Sequence, residues 1–594
     1  MLDILKKYNR NNNEKDNEKD NEKDIEFKLP IAYLENKYKL KENIKTDLEL
    51  IDNSDNSLYL NILSKSDNKS TKLIDKWSEY YTNDKEFLLG YQSFLKDFKL
   101  NKDSKDSKDS KDSKHDKDNN IKEIKLIIDD IDNETGFYEK YKYIDIDYLK
   151  HLNKSSSVLQ IFTIYNLASP VFSLIIPIIM LIMPFFIIKI QGLQITFKAY
   201  MNIMIKIFKN HILGQLFSKF SEVDITQKIF MLFSLGFYLF SIYQNIYTCI
   251  NFYKNIYKIQ KNLYEIHYFI EKSIINIDSI RKYSNKSFIK FLDANDNIKS
   301  QLLMFKSELE KIELGKLKIT HIAKVGDILK CFHELYNNIN YKSALKYCIE
   351  LDYYVLNIQN IQTNIHAKKL NFCKFTNGKT KFKNAYFAAL IKKVPITNSY
   401  ELDKKIIITG PNAAGKTTIL KTTLFNIILS QQIGVGCYKT AKINIYKYIH
   451  SYINIPDTSQ RDSLFQAEAR RCKEILDNLT NSKEKDRHFC IFDEIYSGTN
   501  PSEAIASAYS FLTFISKYNN LDYMLTTHYT SLCNLLENNK NIINKQMMIL
   551  NNENTYKIGN GISNIKGGIK VLKELEYNND IIVGANKIIN KINI

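Results

Sequence analysis

The chain has 594 residues, of which 44% are hydrophobic and 12% aromatic, so it can bury more than one core. Its formal net charge of +18 permits contact with nucleic acid or an anionic membrane, but nearly all the positive residues are lysines, whereas proteins that read bases favour arginine. The eight cysteines stand singly without a Cys-x-x-Cys pair, which argues against a zinc site and a disulfide framework and favours a reducing compartment.

The amino-terminal segments alternate between low-complexity and globular composition. Residues 1–26 contain three consecutive Asn-Glu-Lys-Asp units, so we expect a disordered low-complexity tail without a cleaved signal peptide. Residues 27–154 form a small region that holds the only tryptophan, Trp77. A predicted linker at 101–121, with Lys-Asp-Ser repeated four times, interrupts that region.

Two long uncharged runs occupy the region 155–254. The first, at about 167–188, is almost wholly apolar, and its prolines recur every seven residues, which membrane helices tolerate better than soluble ones. The second run covers about 229–253. Because about 20 apolar residues suffice to cross a bilayer, the pattern predicts a transmembrane helical hairpin. The alternative is a pair of buried helices in a large core.

A heptad-like stripe continues beyond the second run. Its apolar residues recur in steps of three or four, and the charged residues fall off it; the stripe comprises Phe252, Ile256, Ile259, Leu263, Ile266, Ile270, Ile274 and Ile277. We expect one helix to leave the membrane and continue as a packed coil. The region 255–369 is therefore predicted either as a plain helical core or as a helical lever attached to the membrane segment.

The region 370–594 contains a phosphate-binding sequence. Residues 406–418 read as a buried strand, a glycine-bounded loop and the start of a helix, with the pattern G-x-x-x-x-G-K-[ST]. The glycines let backbone N–H groups point at phosphate oxygens, Lys416 supplies a cation to the β- and γ-phosphates, and Thr417 can ligate Mg²⁺. The sequence predicts an ATP and Mg²⁺ site at Gly410, Pro411, Asn412, Ala413, Ala414, Gly415, Lys416, Thr417 and Thr418.

Two later strands end in residues suited to the same chemistry. Asp493 follows an apolar run and can hold Mg²⁺, and the adjacent Glu494 is placed to polarise an attacking water. His528 follows a third strand, where it can sense the γ-phosphate. Because ligands bind beyond the carboxyl ends of parallel strands, these groups should meet. Lys416, Glu494 and His528 are the predicted catalytic residues, and Thr417 and Asp493 the predicted metal ligands.

The segment Asp462–Arg470 opens a further helix, capped by Asp462 or Ser463. A helix amino terminus with an exposed hydroxyl binds anions, although a plain capped helix explains the same residues. Because no phosphate of its own subunit is obviously within reach, any anion at Ser463 would belong to a partner's nucleotide.

Together these motifs resemble the nucleotide-binding motifs of the MutS family of ATPases. The resemblance covers about 370–587 and is carried by Thr409–Thr418, Asp462–Arg470, Phe492–Asn500, Thr526–Tyr529 and Gly561–Ala585. It implies an α/β P-loop NTPase domain of the ABC class and MutS type, which dimerises head to tail. It also implies that Ser463 reaches the partner's γ-phosphate, while Gly410–Thr417, Asp493, Glu494 and His528 act in their own subunit.

Family members that detect mismatches insert a phenylalanine from an F-x-E motif beside the mispaired base. Phe137-Tyr138-Glu139 fits this motif, but so do segments at Phe220, Phe332 and Phe492. Phe137 also lies close to the first apolar run, with no room for the family's connector domain. We therefore expect Phe137 to be an ordinary buried aromatic residue and the chain to lack the mismatch-recognition domain.

Two functional hypotheses follow. The first is a membrane-anchored MutS-like ATPase that hydrolyses ATP at composite dimer sites and is coupled to double-stranded DNA, in relation to DNA mismatch repair, through phosphate contacts. The second is a mechanochemical membrane ATPase that acts on membrane or protein partners without DNA. Both imply a homodimer through the ATPase domains and two crossings of a lipid bilayer, with both termini cytoplasmic.

Overall fold

The structure is a computed structural model of the chain. It divides into two compact units: unit 1 draws on residues 1–26, 109–274 and 298–347, and unit 2 on residues 27–108, 275–297 and 348–594. The residues that the structure describes are 26–51, 57–63, 71–100, 116–192, 195–210, 224–312, 324–453, 455, 463–551, 553–563, 565, 572–573 and 575–591.

The longer described helices are Lys85–Asp97, Asp116–Asp132, Ser156–Ile190, Phe197–Asn210, Ile225–Tyr283, Ile289–Leu309, Val325–Asn337, Ile339–His366, Lys416–Ile433, Leu464–Thr480, Pro501–Ile515 and Asn579–Lys591. The shorter described α-helices are Glu42–Asp47, Leu58–Leu63, Thr71–Trp77, Phe137–Lys140 and Thr530–Leu535. The described strands are β1 Lys37–Lys39, β2 Tyr80–Thr82, β3 Asn371–Phe375, β4 Thr380–Ala385, β5 Asn398–Leu402, β6 Lys405–Thr409, β7 Val435–Gly436, β8 Thr440–Ile443, β9 Tyr448–Tyr452, β10 His488–Asp493, β11 Leu521–Thr526, β12 Ile542–Leu550 and β13 Glu553–Asn560.

Unit 1 is helical in its described residues. The heptad-like stripe belongs to the 59-residue helix Ile225–Tyr283. The stripe residues are buried except Ile274, which is half-buried, so the predicted packed face is confirmed. At the start of the helix Ser156–Ile190, Gln160 accepts a hydrogen bond from the backbone N–H of Gly326 at 2.8 Å. A Cβ at Gly326 would lie 2.2 Å from the carbonyl oxygen of Ser156, so the close approach of these two helices requires glycine there.

The predicted hairpin runs lie on helices with exposed apolar side chains. By length and composition, the described segments Ser156–Ile176 and Lys228–Tyr283 suffice to cross a membrane. The Cys249 thiol donates a hydrogen bond to the Leu167 carbonyl oxygen at 3.4 Å, so the two helices are in contact. Away from that contact the exposed large side chains include Phe172, Leu174, Ile179, Ile182, Phe186, Phe230, Phe233, Phe237, Leu239 and Phe240.

Unit 2 contains a six-stranded sheet in the order β13-β12-β6-β11-β10-β9. The strands from β12 to β9 are parallel, and β13 pairs antiparallel with β12. A mixed five-stranded sheet has the order β5-β4-β8-β3-β7, and β1 pairs with β2. Apolar residues fill β6, β10 and β11, as expected for parallel strands covered on both faces. The predicted α/β architecture of the carboxyl-terminal region is thus observed.

The sequence predicted a single amino-terminal region at 27–154, but the structure divides it. Residues 27–100 belong to unit 2, and residues 109–154 belong to unit 1. The reason lies in two buried glutamines of the helix Lys416–Ile433. Gln431 donates a hydrogen bond to the Thr82 carbonyl oxygen at 3.1 Å, and Gln432 donates to the Trp77 and Tyr80 carbonyl oxygens at 2.7 and 2.8 Å. The described residues between 27 and 100 therefore pack against that helix and do not form a separate region.

The predicted linker 101–121 is also too long at its carboxyl end. The helix Asp116–Asp132 begins inside it, and Ile121 and Ile124 are fully buried. The Lys-Asp-Ser repeat itself and the tail 1–25 lie outside the described residues.

Candidate nucleotide site

The loop between β6 and the helix Lys416–Ile433 is shaped by its two glycines. Gly415 has a φ of 91°, in the left-handed region that glycine occupies without steric cost. A Cβ at Gly410 would lie 3.0 Å from the Met547 Cβ, and one at Gly415 would lie 3.2 Å from the Tyr556 ring. The glycines therefore let β12 and β13 approach the loop closely.

Lys416 begins the helix with its side chain turned back into the loop. Its Nζ donates hydrogen bonds to the carbonyl oxygens of Gly410 and Pro411 at 3.0 and 3.2 Å, and it lies 3.2 Å from His528 Nε2. Burial lowers the pKa of Lys416, while the Glu494 and Asp493 carboxylates oppose that shift.

The two predicted metal ligands are in contact. Thr417 Oγ1 donates a hydrogen bond to Asp493 Oδ2 at 2.8 Å, and the Thr526 hydroxyl donates to the other carboxylate oxygen. A hydroxyl beside a carboxylate at the carboxyl end of β10 is a pair of hard oxygen ligands, which suits Mg²⁺.

Glu494 and His528 are a second pair of contacting residues at the strand ends. His528 Nε2 lies 2.7 Å from Glu494 Oε1. The hydrogen bond from His528 holds the pKa of Glu494 below its ordinary value; the charges of His528 and Lys416 act in the same direction, and burial opposes them. The fold thus brings together five residues that the sequence predicted for this site. They lie at the ends of β6, β10 and β11 and are Lys416, Thr417, Asp493, Glu494 and His528.

The remaining predicted loop residues differ in their accessibility. Asn412, Ala413 and Thr418 are exposed, whereas Pro411 and Ala414 are buried. Ala413 has a φ of 59°, and its carbonyl oxygen accepts a hydrogen bond from Asn554 on β13 at 3.3 Å. Asn554 and Tyr556 thus border the loop, although nothing in the sequence pattern indicated them.

Ser463 caps the helix Leu464–Thr480. Its Oγ accepts a hydrogen bond from the Gln466 backbone N–H at 3.3 Å, and its own N–H donates to Gln466 Oε1 at 2.9 Å, which completes a capping box. Of the two predicted caps, Ser463 is therefore the one observed, and Asp462 lies outside the described residues. Ser463 is exposed, and its described side-chain hydrogen bonds are those of the capping box.

Glu468, on the second turn of the same helix, was not singled out from sequence. It is 2% exposed and accepts hydrogen bonds from Ser497 N, Ser497 Oγ and Gly498 N at 3.0, 2.8 and 3.1 Å. A Cβ at Gly498 would lie 2.7 Å from the Phe465 nitrogen. The segment that follows Glu494 is thereby fixed against the helix that Ser463 begins.

Phe137 is buried, as expected. It is 2% exposed, and its ring stacks on Tyr143 and Phe332 with centroids 5.2 and 5.5 Å apart. A side chain enclosed in an aromatic cluster does not project toward a base pair.

Comparisons with known proteins agree with the motifs. Residues 406–593 match the family described as MutS domain V. Curated proteins named Endonuclease MutS2 are similar to the chain: that of Finegoldia magna is 27% identical over 336 residues, covering 52% of this chain and 40% of the relative. That of Staphylococcus saprophyticus is 29% identical over 224 residues, covering 36% and 28%. The chain thus spans less than half the length of these relatives. Residues 406–593 are therefore similar to MutS domain V, and the chain is similar to MutS2 proteins over part of its length.

Proposed function

We propose that the chain is a membrane-anchored ATPase of the MutS type, which binds and hydrolyses ATP with Mg²⁺ at composite sites of a homodimer. The observation that carries the ATPase assignment is the contact of Lys416, Thr417, Asp493, Glu494 and His528 at the ends of three parallel strands. A phosphate-binding loop and a carboxylate pair at neighbouring strand ends is the arrangement that phosphoryl transfer requires.

Each side chain has a separate task in this proposal. Lys416 and the loop N–H groups from Gly410 to Thr417 hold the phosphates, and Asn412 and Thr418 lie at the exposed rim. Thr417 and Asp493 would hold Mg²⁺, which when bound offsets phosphate charge. Glu494, whose pKa is lowered, is a carboxylate at neutral pH and can accept a proton from the attacking water. His528 orients Glu494 through their 2.7 Å contact.

The second half of each site would come from a partner. Ser463 stands exposed at a helix amino terminus, where backbone N–H groups and the helix dipole favour an anion. Because the described hydrogen bonds of Ser463 stay within its own capping box and its side chain is exposed, we assign it to the γ-phosphate held by another copy.

The membrane part of the proposal rests on the two apolar helices of unit 1. Their phenylalanine, leucine and isoleucine side chains stay exposed over several turns among the described residues, which in water is unfavourable. Insertion into a lipid bilayer covers this surface, and two crossings leave both termini on one side, proposed to be cytoplasmic.

Coupling to double-stranded DNA is proposed because the relatives are named endonucleases and the chain carries a net charge of +18. The alternative, a mechanochemical ATPase without DNA, is favoured by the exposed apolar helices. The deciding measurement is the ATPase rate of the full chain with duplex DNA and with liposomes. DNA stimulation that weakens steeply with salt supports the first, and a response to lipid alone eliminates it.

The ATPase assignment itself is tested by nucleotide binding. Purified Lys416→Ala protein should bind a fluorescent ATP analogue at least about tenfold more weakly than the unsubstituted chain, because it loses a charge-assisted phosphate contact. Lys442→Ala, at an exposed position on β8, is the matched control and should bind normally. Absence of ATP binding by the unsubstituted chain would overturn the proposal.

A further inference from the structure

We propose that the helix Phe197–Asn210 lies flat on a bilayer leaflet, with its lysine face among anionic lipid headgroups and its apolar face at the acyl boundary. This inference rests on the membrane insertion proposed above, and it adds a lipid contact of a different kind. The helix belongs to unit 1 and lies between the two apolar helices in the chain.

The residues of this helix are segregated onto two faces. At 3.6 residues per turn, Lys198, Asn202, Lys206 and Lys209 fall within an arc of about 80°. The helix contains no acidic residue. The other face carries Phe197, Tyr200, Met201, Ile203, Met204, Ile207 and Phe208, whereas Ile205 borders the lysine arc. A basic amphipathic helix of this kind is typical of membrane surfaces.

The length of the helix excludes a third crossing. Fourteen residues extend about 21 Å, whereas the hydrocarbon core of a bilayer is about 30 Å thick. A helix this short cannot span the bilayer, but it can lie along the interface.

Its position is fixed beside the end of the first apolar helix. The Tyr200 ring lies 4.9 Å from the Phe185 ring, and the Phe197 ring lies 5.7 Å from it, between ring centroids. Phe185 is near the carboxyl end of the predicted crossing 167–188, where that crossing should meet the interface. Two crossings therefore place the helix at the leaflet opposite to the chain termini.

Most of the apolar face is not covered by the described protein. Tyr200 is buried, but the exposed fractions of Ile203, Ile207 and Phe208 are 46%, 50% and 40%. A second copy of the helix could cover the apolar face, but it would leave both lysine faces without a counter-charge. Anionic lipid supplies both the apolar layer and the negative charge.

The test uses tryptophan fluorescence of the full chain in vesicles of phosphatidylcholine with about one third phosphatidylglycerol, quenched by brominated lipids. Ile203→Trp reports on the apolar face, Asn202→Trp is its matched control on the polar face, and Ile179→Trp reports on the first crossing. The unsubstituted chain gives the background of the buried Trp77. We expect bromines near the headgroups to quench Ile203→Trp at least about twofold more than Asn202→Trp, and bromines near the chain ends to quench Ile179→Trp.

The outcomes separate the two proposals. If Ile179→Trp is quenched and Ile203→Trp is not, the interfacial helix is wrong while membrane insertion stands. Deep quenching of both Ile203→Trp and Asn202→Trp would mean that the helix is immersed in the bilayer, which also overturns the inference. If Ile179→Trp escapes quenching, membrane insertion itself fails.

A triple variant tests whether the lysine face recognises anionic lipid. Changing Lys198, Lys206 and Lys209 to glutamine in the Ile203→Trp chain should lower headgroup-level quenching in the anionic vesicles to the level seen with phosphatidylcholine alone. Glutamine at Lys374, Lys439 and Lys442, which are exposed in unit 2, is the matched control and should leave quenching unchanged. An unchanged preference for anionic vesicles in the first triple variant would refute recognition of anionic lipid.

Discussion

Glu494 adopts a backbone conformation that non-glycine residues rarely take, with a φ of 55°. Its N–H donates a hydrogen bond to the Thr526 carbonyl oxygen at 3.1 Å, which ties the residue to the end of β11. The carboxylate contacts His528 and remains partly open to solvent. Backbone strain held by neighbouring strands is characteristic of residues that must keep one orientation, and here it orients the proposed base.

Replacing Glu494 by glutamine tests that role. Glu494→Gln keeps the size of the side chain but cannot accept a proton, so ATP should still bind while turnover falls by about 10²- to 10⁴-fold. Steady-state hydrolysis and binding of a fluorescent ATP analogue separate the two effects. Glu503→Gln, an exposed residue of the helix Pro501–Ile515, should hydrolyse ATP normally. Normal turnover of Glu494→Gln would mean that Glu494 is misassigned.

Glu468 offers a second test, because it acts at a distance from the phosphates. Glu468→Gln replaces one acceptor oxygen by an N–H donor that faces the N–H groups of Ser497 and Gly498, so the segment after Glu494 should loosen. We expect the free energy of unfolding to fall by about 2–4 kcal/mol and hydrogen exchange to increase at residues 495–500, with ATP binding retained. Glu484→Gln, exposed beyond the end of the same helix, is the control. Unchanged exchange at 495–500 would contradict this role.

At the scale of elements, the pair β9–β10 carries a pH-sensitive contact inside the sheet. His450 Nε2 lies 3.2 Å from His488 Nδ1, and the rings are nearly parallel. Burial lowers the pKa of His450 to about 3, with the charge of His488 adding to the effect, and burial lowers the pKa of His488 to about 4. Both rings are therefore neutral in the folded protein at neutral pH.

Acidic pH should destabilise the folded protein through these two histidines. Below the ordinary pKa of 6.5 the unfolded chain takes up protons that the folded histidines do not, so the free energy of unfolding should fall. The fall is about 1.4 kcal/mol per pH unit for each histidine, continuing to about pH 4. Thermal melting from pH 8 to pH 4.5 should show it, and the double variant His450→Gln/His488→Gln should make it less steep. The contribution of His333, whose pKa burial also lowers to about 4, should remain. His151→Gln, at an exposed position, should not. An equally steep fall in the double variant would exclude the pair as its source.

The elements that could be predicted from sequence are those whose pattern is local. The buried stripe of the helix Ile225–Tyr283 and the apolar strands before Asp493 and His528 follow from periodicity and hydrophobic runs, and strand ends meet because parallel strands share an edge. The packing of residues 27–100 was not predictable, because Gln431 and Gln432 are polar residues whose partners are distant in sequence. Likewise, the start of the helix Asp116–Asp132 is hidden by the charged repeat before it.

At the scale of the whole molecule, the two halves of the proposed site lie on separate elements of one chain. The loop and strand ends contact one another, whereas Ser463 is exposed and held by its own capping box. If Ser463 served only as a cap, its loss would affect stability alone. If it contacts a partner's phosphate, activity depends on which two copies meet.

Mixing two inactive variants distinguishes these cases. Lys416→Ala removes the loop cation and Ser463→Ala removes the partner's hydroxyl, so each homodimer should hydrolyse ATP poorly. In a mixed dimer, one site combines the intact loop of the Ser463→Ala copy with the intact Ser463 of the Lys416→Ala copy. Random exchange at equal concentrations should therefore restore about a quarter of the unsubstituted activity.

The control mixture pairs Lys416→Ala with the double variant Lys416→Ala/Ser463→Ala, in which every loop lacks its lysine and no recovery is expected. Exchange of subunits is verified by co-purification of two tags. Neither variant supplies both an intact loop and Ser463. If activity recovers in the first mixture and not in the control mixture, an active site must take its loop from one copy and Ser463 from the other. Verified exchange without recovery at any ratio would instead place each active site within a single copy and leave Ser463 as a helix cap.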